Sequence, residues 1–168
     1  QFEATGIDPL QFDAPLSRLG LCQVRDARQA AAALGAELVV TSPLTRALQT
    51  AVGLFKGDAL PIVVSSLHRE RLGNSCDVGR APAALMKEFP AIGFDHLEDV
   101  WWHDGAKDER GVPVEPDILF HRRVQQFVRW IVARPEGTVL VIGHGTFFHR
   151  LTGRHLANCE IMDWRPAP

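Results

Sequence analysis

Apolar positions along the chain recur at two different spacings, and the spacing changes mark its elements. In residues 19–34, Val24, Ala27, Ala31 and Leu34 repeat at helical intervals, and Gly35 follows as a stop. The short apolar run at residues 38–41 predicts a buried strand. Ser42 and Pro43 then suit the opening of a helix, serine as N-cap and proline in the first turn. That helix carries Leu44, Ala47, Leu48, Ala51 and Phe55 on one side. Residues 62–64 form a second strand. Residues 71–116 are less regular, with a short helix at 83–89 and a polar, Gly- and Pro-rich loop at 101–116.

The clearest helix covers residues 117–133, with Val124, Phe127, Val128 and Ile131 in register and Asp117 as its cap. Val139, Leu140, Val141 and Ile142 make a continuous apolar run, the pattern of a strand buried on both faces. Gly143-His144-Gly145 follows at once, and a last helix runs from Thr146 towards Leu156. Helix and strand in alternation predict an α/β three-layer sandwich with a mostly parallel central sheet. Ligands of such sheets bind beyond the carboxyl ends of the strands, where Ser42 and His144 both fall.

Length and charge narrow the picture. A chain of 168 residues fits a single domain over 1–168. Its net charge of −2 gives no electrostatic reason to expect nucleic acid or an anionic membrane as partner. A small anionic substrate stays open, because a few placed arginines suffice for one. No apolar stretch is long enough to span a bilayer. The odd set Cys22, Cys76 and Cys159 matches neither a disulfide framework nor a metal site, which predicts free thiols and a cytoplasmic setting.

Three side chains stand where chemistry is expected. Arg46 lies in the first turn of the helix after the first strand, near N–H groups that favour an anion, and its guanidinium can grip phosphate. The plainer reading is a solvated helical arginine. His144, set between glycines after a strand, is placed to meet a phosphoryl oxygen; a structural histidine at a strand end has the same signature. Glu70 follows the second strand closely, and a carboxyl there can protonate a leaving alkoxide and then deprotonate water. Arginines on both sides equally fit a surface ion pair. Those neighbours, Arg69 and Arg71, look exposed and hint at an acidic or polyanionic substrate. His149 and His155 read as incidental, residues 75–79 as a polar loop near the site mouth, and Trp101-Trp102-His103-Asp104 as either a pocket lining or, the favoured reading, an aromatic clamp on the long loop.

The order of the pieces is distinctive: DAPLSRLG at 13–20, SPLTRALQTA at 42–51, LHRE at 67–70, CDVG at 76–79 and VLVIGHGTFF at 139–148. Across nearly the whole chain this order resembles the histidine phosphatase superfamily, the phosphoglycerate mutase-like fold. The resemblance implies an Arg-His-Gly motif whose histidine attacks phosphorus and becomes phosphohistidine. It assigns Arg46 to the phosphate pocket with the Gly145 N–H, Glu70 to proton donation and His144 to the second pocket histidine. It implies no metal and no other cofactor, and a small phosphorylated metabolite as partner.

One departure matters. No Arg-His-Gly occurs in the chain, and its first histidine is His68. The expectation is that residue 1 stands just after that motif, which puts Thr5 where members often carry a phosphate-contacting asparagine. The rival is a pseudoenzyme that binds a phosphorylated ligand without cleaving it. Within the family the choice lies between a phosphatase and a phosphoglycerate mutase. The modest span from Glu70 to His144 favours hydrolysis, because mutases carry an insertion there.

Overall fold

Ser17 accepts the N–H of Gly20 and so starts the first helix, α1, Arg18–Ala32. In this computed structural model, residues 8–57 and 59–166 are described. The helix stops two residues short of Leu34, and Gly35, at φ +62°, turns the chain into the sheet. Strand β1, Leu38–Thr41, is buried along its whole length. Helix α2, Thr45–Leu54, leads to β2, Ile62–Val64. A 3-10 turn, Ser66–His68, comes next, and a second, Ser75–Asp77, precedes α3, Pro82–Glu88. Helix α4, Asp117–Val132, β3, Val139–Ile142, and α5, Gly145–Thr152, complete the set.

Among the described residues the three strands form one parallel sheet in the order β2-β1-β3. Val39 pairs with Ile62 on one side and with Leu140 on the other. Side chains alternate between the faces, as the period of two requires. Val39, Ile62, Leu140 and Ile142 pack under α1 and α2, whereas Val141 joins α4 and α5 on the opposite face. Sheet and flanking helices give the three layers. Gly53 lets α1 and α2 meet closely, since a Cβ there would fall 2.6 Å from a methyl of Val24. No helix among the described residues is long and apolar enough to cross a membrane.

The irregular stretch is anchored by polar and apolar contacts. The Trp101 indole donates to the Arg80 carbonyl at 2.8 Å and fills the space a side chain at position 79 would need. Phe94 and Trp101 join Leu85 of α3 and Phe89 just after it in a core with Leu44, Leu48 and Val64. Trp101 therefore clamps the loop, and Lys107 bridges to Pro113 within it.

Several boundaries differ from the sequence reading. Helix α2 begins at Thr45 and not at Ser42, because the Ser42 hydroxyl accepts the Leu44 N–H in a local turn. Its N-terminus is served instead by buried Asp13, whose carboxylate accepts the Thr45 N–H at 2.8 Å and the Thr45 hydroxyl at 2.5 Å. Arg80 closes that carboxylate from the other side at 2.7 Å. Pro116, not Asp117, occupies the cap position of α4; Asp117 lies in its first turn and pairs with Arg150 at 2.6 Å. Helix α5 ends at Thr152, where Gly153 adopts φ +74°. Strand β3 is not enclosed on all sides: Val139, Leu140 and Val141 are half-buried. Among the described residues it forms the sheet edge, facing a cavity of about 650 Å³.

Candidate active site

All three strands deliver a polar residue to the same end of the sheet. Beyond β1 comes Ser42, whose N–H donates to the Ile142 carbonyl of β3 at 3.1 Å. Beyond β3 comes His144, whose Nε2 lies 2.8 Å from the Ser42 Oγ. That contact ties the ends of the two strands together. Beyond β2 comes Ser65, then the 3-10 turn and Glu70.

Glu70 is not a surface ion pair. One carboxylate oxygen accepts the Arg71 and Phe147 N–H groups at 2.8 and 3.1 Å, and the other accepts the Thr146 N–H at 3.0 Å. It thus sits on the N-terminus of α5, where unpaired N–H groups favour negative charge. Burial nevertheless raises its pKa above the ordinary carboxylate value. The N–H groups of Thr146 and Arg71 oppose that rise without cancelling it, Asp77 adds to it, and Arg46 lessens it.

Arg46 is a half-buried residue of the first turn of α2. Its guanidinium donates to the Cys76 carbonyl at 2.7 Å and to Asp77 Oδ1 at 2.9 Å. The residues read as a polar loop at the site mouth therefore hold this arginine in place. Asp77 was not singled out for that role, although the CDVG string containing it was. Burial pushes the Cys76 thiol up to about 11, so it stays protonated. His144 is buried, and its pKa lies well below that of free histidine, first through desolvation and then through Arg46. The imidazole is therefore neutral and acts as a hydrogen-bonding group.

Arg46, Glu70, His144 and Gly145 all line the cavity beside β3. Arg46 and Glu70 also line a second, polar cleft of about 580 Å³ with Arg71, Asn74, Val114 and Thr146. These two residues mark the junction of the two spaces. Gly145 opens α5, so its N–H has no acceptor within the helix. Thr5 lies outside the described residues. Of the two flanking arginines, only Arg71 lines the cleft, and it is half-buried where exposure was expected. Arg69 is buried against Glu115 at 3.1 Å, because the chain turns inward before Glu70. His149 and His155 stack on each other, 3.8 Å between ring centres, and line neither space.

Neutral donors, one guanidinium and a helix N-terminus lining one cavity suit a tetrahedral anion. The carboxyl beside them is held nearer its protonated form, which suits proton transfer to a departing oxygen.

The sequence model of the histidine phosphatase superfamily (branch 1) matches residues 4–167. A phosphoglycerate mutase-like protein of Arabidopsis thaliana is 30% identical, over 89% of this chain and 72% of that protein. A glucosyl-3-phosphoglycerate phosphatase of Mycolicibacterium vanbaalenii is 28% identical, over 92% of this chain and 68% of the other. The solved structure of a mycobacterial glucosyl-3-phosphoglycerate phosphatase superposes with a TM-score of 0.54 at 25% identity, covering 85% of this chain and 69% of that one.

Proposed function

Because the chain belongs to the histidine phosphatase superfamily, we propose that it is the greater part of a metal-independent phosphatase acting on a phosphate monoester through a phosphohistidine. The observation that carries this reading is the convergence of Arg46, Glu70, His144 and Gly145 on one cavity at the carboxyl ends of the strands. The Arg46 guanidinium and the fixed neutral donors there supply the charge stabilisation that phosphoryl transfer needs.

The proposed reaction has two halves. A histidine nitrogen reaching the cavity attacks phosphorus; the N–P bond forms, the P–O bond to the alcohol breaks, and Glu70 gives its proton to the leaving oxygen. Water then attacks phosphorus, Glu70 takes the water proton, the N–P bond breaks and inorganic phosphate leaves. Arg46, the His144 ring and the Gly145 N–H hold the transferred oxygens throughout. The resemblance draws the attacking histidine from an Arg-His-Gly motif that the 168 residues do not contain, so the reading is tested in the full-length gene product.

A hydrolase is preferred to a mutase because the relatives include a named phosphatase of matching coverage and the span from Glu70 to His144 is modest. The 580 Å³ cleft falls within the range of small-molecule pockets, which favours a small phosphorylated metabolite over a phosphoprotein.

The test is phosphate release without added metal from p-nitrophenyl phosphate and from an alkyl phosphate, in the full-length protein and its Glu70→Gln variant. Turnover of both by the parent is expected. In kcat/KM, which reports the first half-reaction, the variant should lose roughly 100-fold on the alkyl ester, whose leaving group needs a proton, and far less on the aryl ester. A parent that binds phosphate but releases none would identify a binding protein. Equal losses on both esters would remove Glu70 from the role of acid.

A further inference from the structure

The mechanism above uses Glu70 but does not account for the most heavily bonded side chain near it. Arg123, in the middle of α4, is buried. Its Nη1 donates to the carbonyls of Leu67 at 3.0 Å and Arg69 at 2.8 Å, and its Nη2 to that of Glu70 at 3.3 Å. The remaining donors form a two-point pair with Glu115, at 2.9 Å from Nε and 2.6 Å from Nη2. The plane of the guanidinium also lies 5.1 Å from the Phe120 ring centre.

A buried ion pair contributes little to net stability, because desolvating two charges offsets their attraction. What this one does is geometric. Residues 67–70 leave a single 3-10 turn and belong to no strand or α-helix, so their carbonyls lack ladder partners. Arg123 gathers three of those carbonyls onto one rigid fork. Glu115 fixes the fork and also receives Arg69 at 3.1 Å, while its own main-chain carbonyl accepts from Arg71 Nε at 3.2 Å. Its N–H donates to the Leu72 carbonyl at 2.8 Å. The backbone on both sides of Glu70 is thereby laced to one buried pair.

We infer that Arg123, held by Glu115, is a positioning residue for proton transfer: it fixes the backbone from which the Glu70 carboxyl reaches the leaving oxygen. The inference rests on Glu70 being the acid. A misplacement of about 1 Å costs roughly 100-fold in a step that depends on alignment, and in the first half-reaction, which kcat/KM reports, this cost falls only on substrates whose leaving group must be protonated.

The experiment compares Arg123→Lys and Glu115→Gln with the parent and with Glu70→Gln, in the full-length protein, on the same aryl and alkyl phosphates. Lysine keeps the charge but cannot serve three carbonyls and a carboxylate from one plane. Each positioning variant should lower kcat/KM on the alkyl ester roughly 10- to 100-fold and nearly keep it on the aryl ester, because kcat/KM reports the first half-reaction, in which only the alkyl leaving group needs the proton. The ratio of the two rates does not depend on how much of a preparation is folded, so partial misfolding of either variant leaves the test intact. A fall of the same size on both esters, in a protein where Glu70→Gln is selective, overturns the inference and leaves the acid assignment standing. A Glu70→Gln variant that is itself unselective overturns the assignment on which it rests.

Discussion

His68 and His144 are both buried, and their charge states set how the fold responds to acid. The Nε2 of His68 lies 3.1 Å from the Ile142 carbonyl, and its ring packs against Phe127. Burial lowers its pKa to about 3, and His144 is also held well below its free value. In the unfolded chain both take up a proton near pH 6.5. Between these limits the unfolded state holds more protons, so stability rises with pH and is lost as pH falls below about 6.5. Each ring contributes a loss of about 1.4 kcal/mol per pH unit in that window. Urea unfolding at pH 7 and pH 5 should show this fall. His68→Gln, which keeps an N–H for the carbonyl but cannot titrate, should reduce the slope by roughly half; an unchanged slope would mean that His68 does not fold as the neutral ring.

At this scale the sequence showed the residues that follow strand ends. Arg46, Glu70 and His144 each follow a strand end, where the pattern left a site role and a plainer structural one open, and the order of the motifs supplied the assignment. Arg123 could not be placed, since it stands in the basic run at positions 121–123 and nothing local says which member faces inward. Asp13 was equally silent: it serves a helix that starts 32 residues away. Arg69 was misread because charge alone suggested exposure, whereas Glu115 supplies a buried partner.

Helix α5 joins core and site within its first turn. Thr146 and Phe147 offer their N–H groups to Glu70, while the Phe147 side chain points the other way into the core. Its ring stands perpendicular to Phe127 at 5.2 Å and edge-on to Phe120 at 6.3 Å. Phe147→Ala should cost roughly 3–5 kcal/mol in unfolding free energy, measured by urea denaturation at neutral pH. A loss below about 1 kcal/mol would show that the cavity collapses around the smaller side chain. Elements as units were readable from apolar spacing, and the helices appear where the period predicted them. Their ends were not, because the groups that satisfy the first N–H donors come from distant parts of the chain: Asp13 for α2, Glu70 for α5.

Across the whole molecule, the sheet is assembled from segments at very unequal distances. Pairing Val39 with Ile62 closes about two dozen residues, whereas pairing Leu38 with Val139 closes about 100. The entropy of the longer closure is less favourable by about 1.3 kcal/mol. Contacts between β1, α2 and β2 are therefore expected to form early, and β3 to join a structure already present. Pulse-labelled hydrogen exchange during refolding should protect the amides of β1 and α2 before those of β3; simultaneous protection would refute that order. If β3 docks last, so does the turn after it, and His144 reaches Ser42 only in the final step. A chain released from the ribosome then passes through states with an organised core and no phosphate receptor. Catalytic competence would arrive as the closing event of folding, and a modest weakening of β3 would silence the protein while most of its structure persisted.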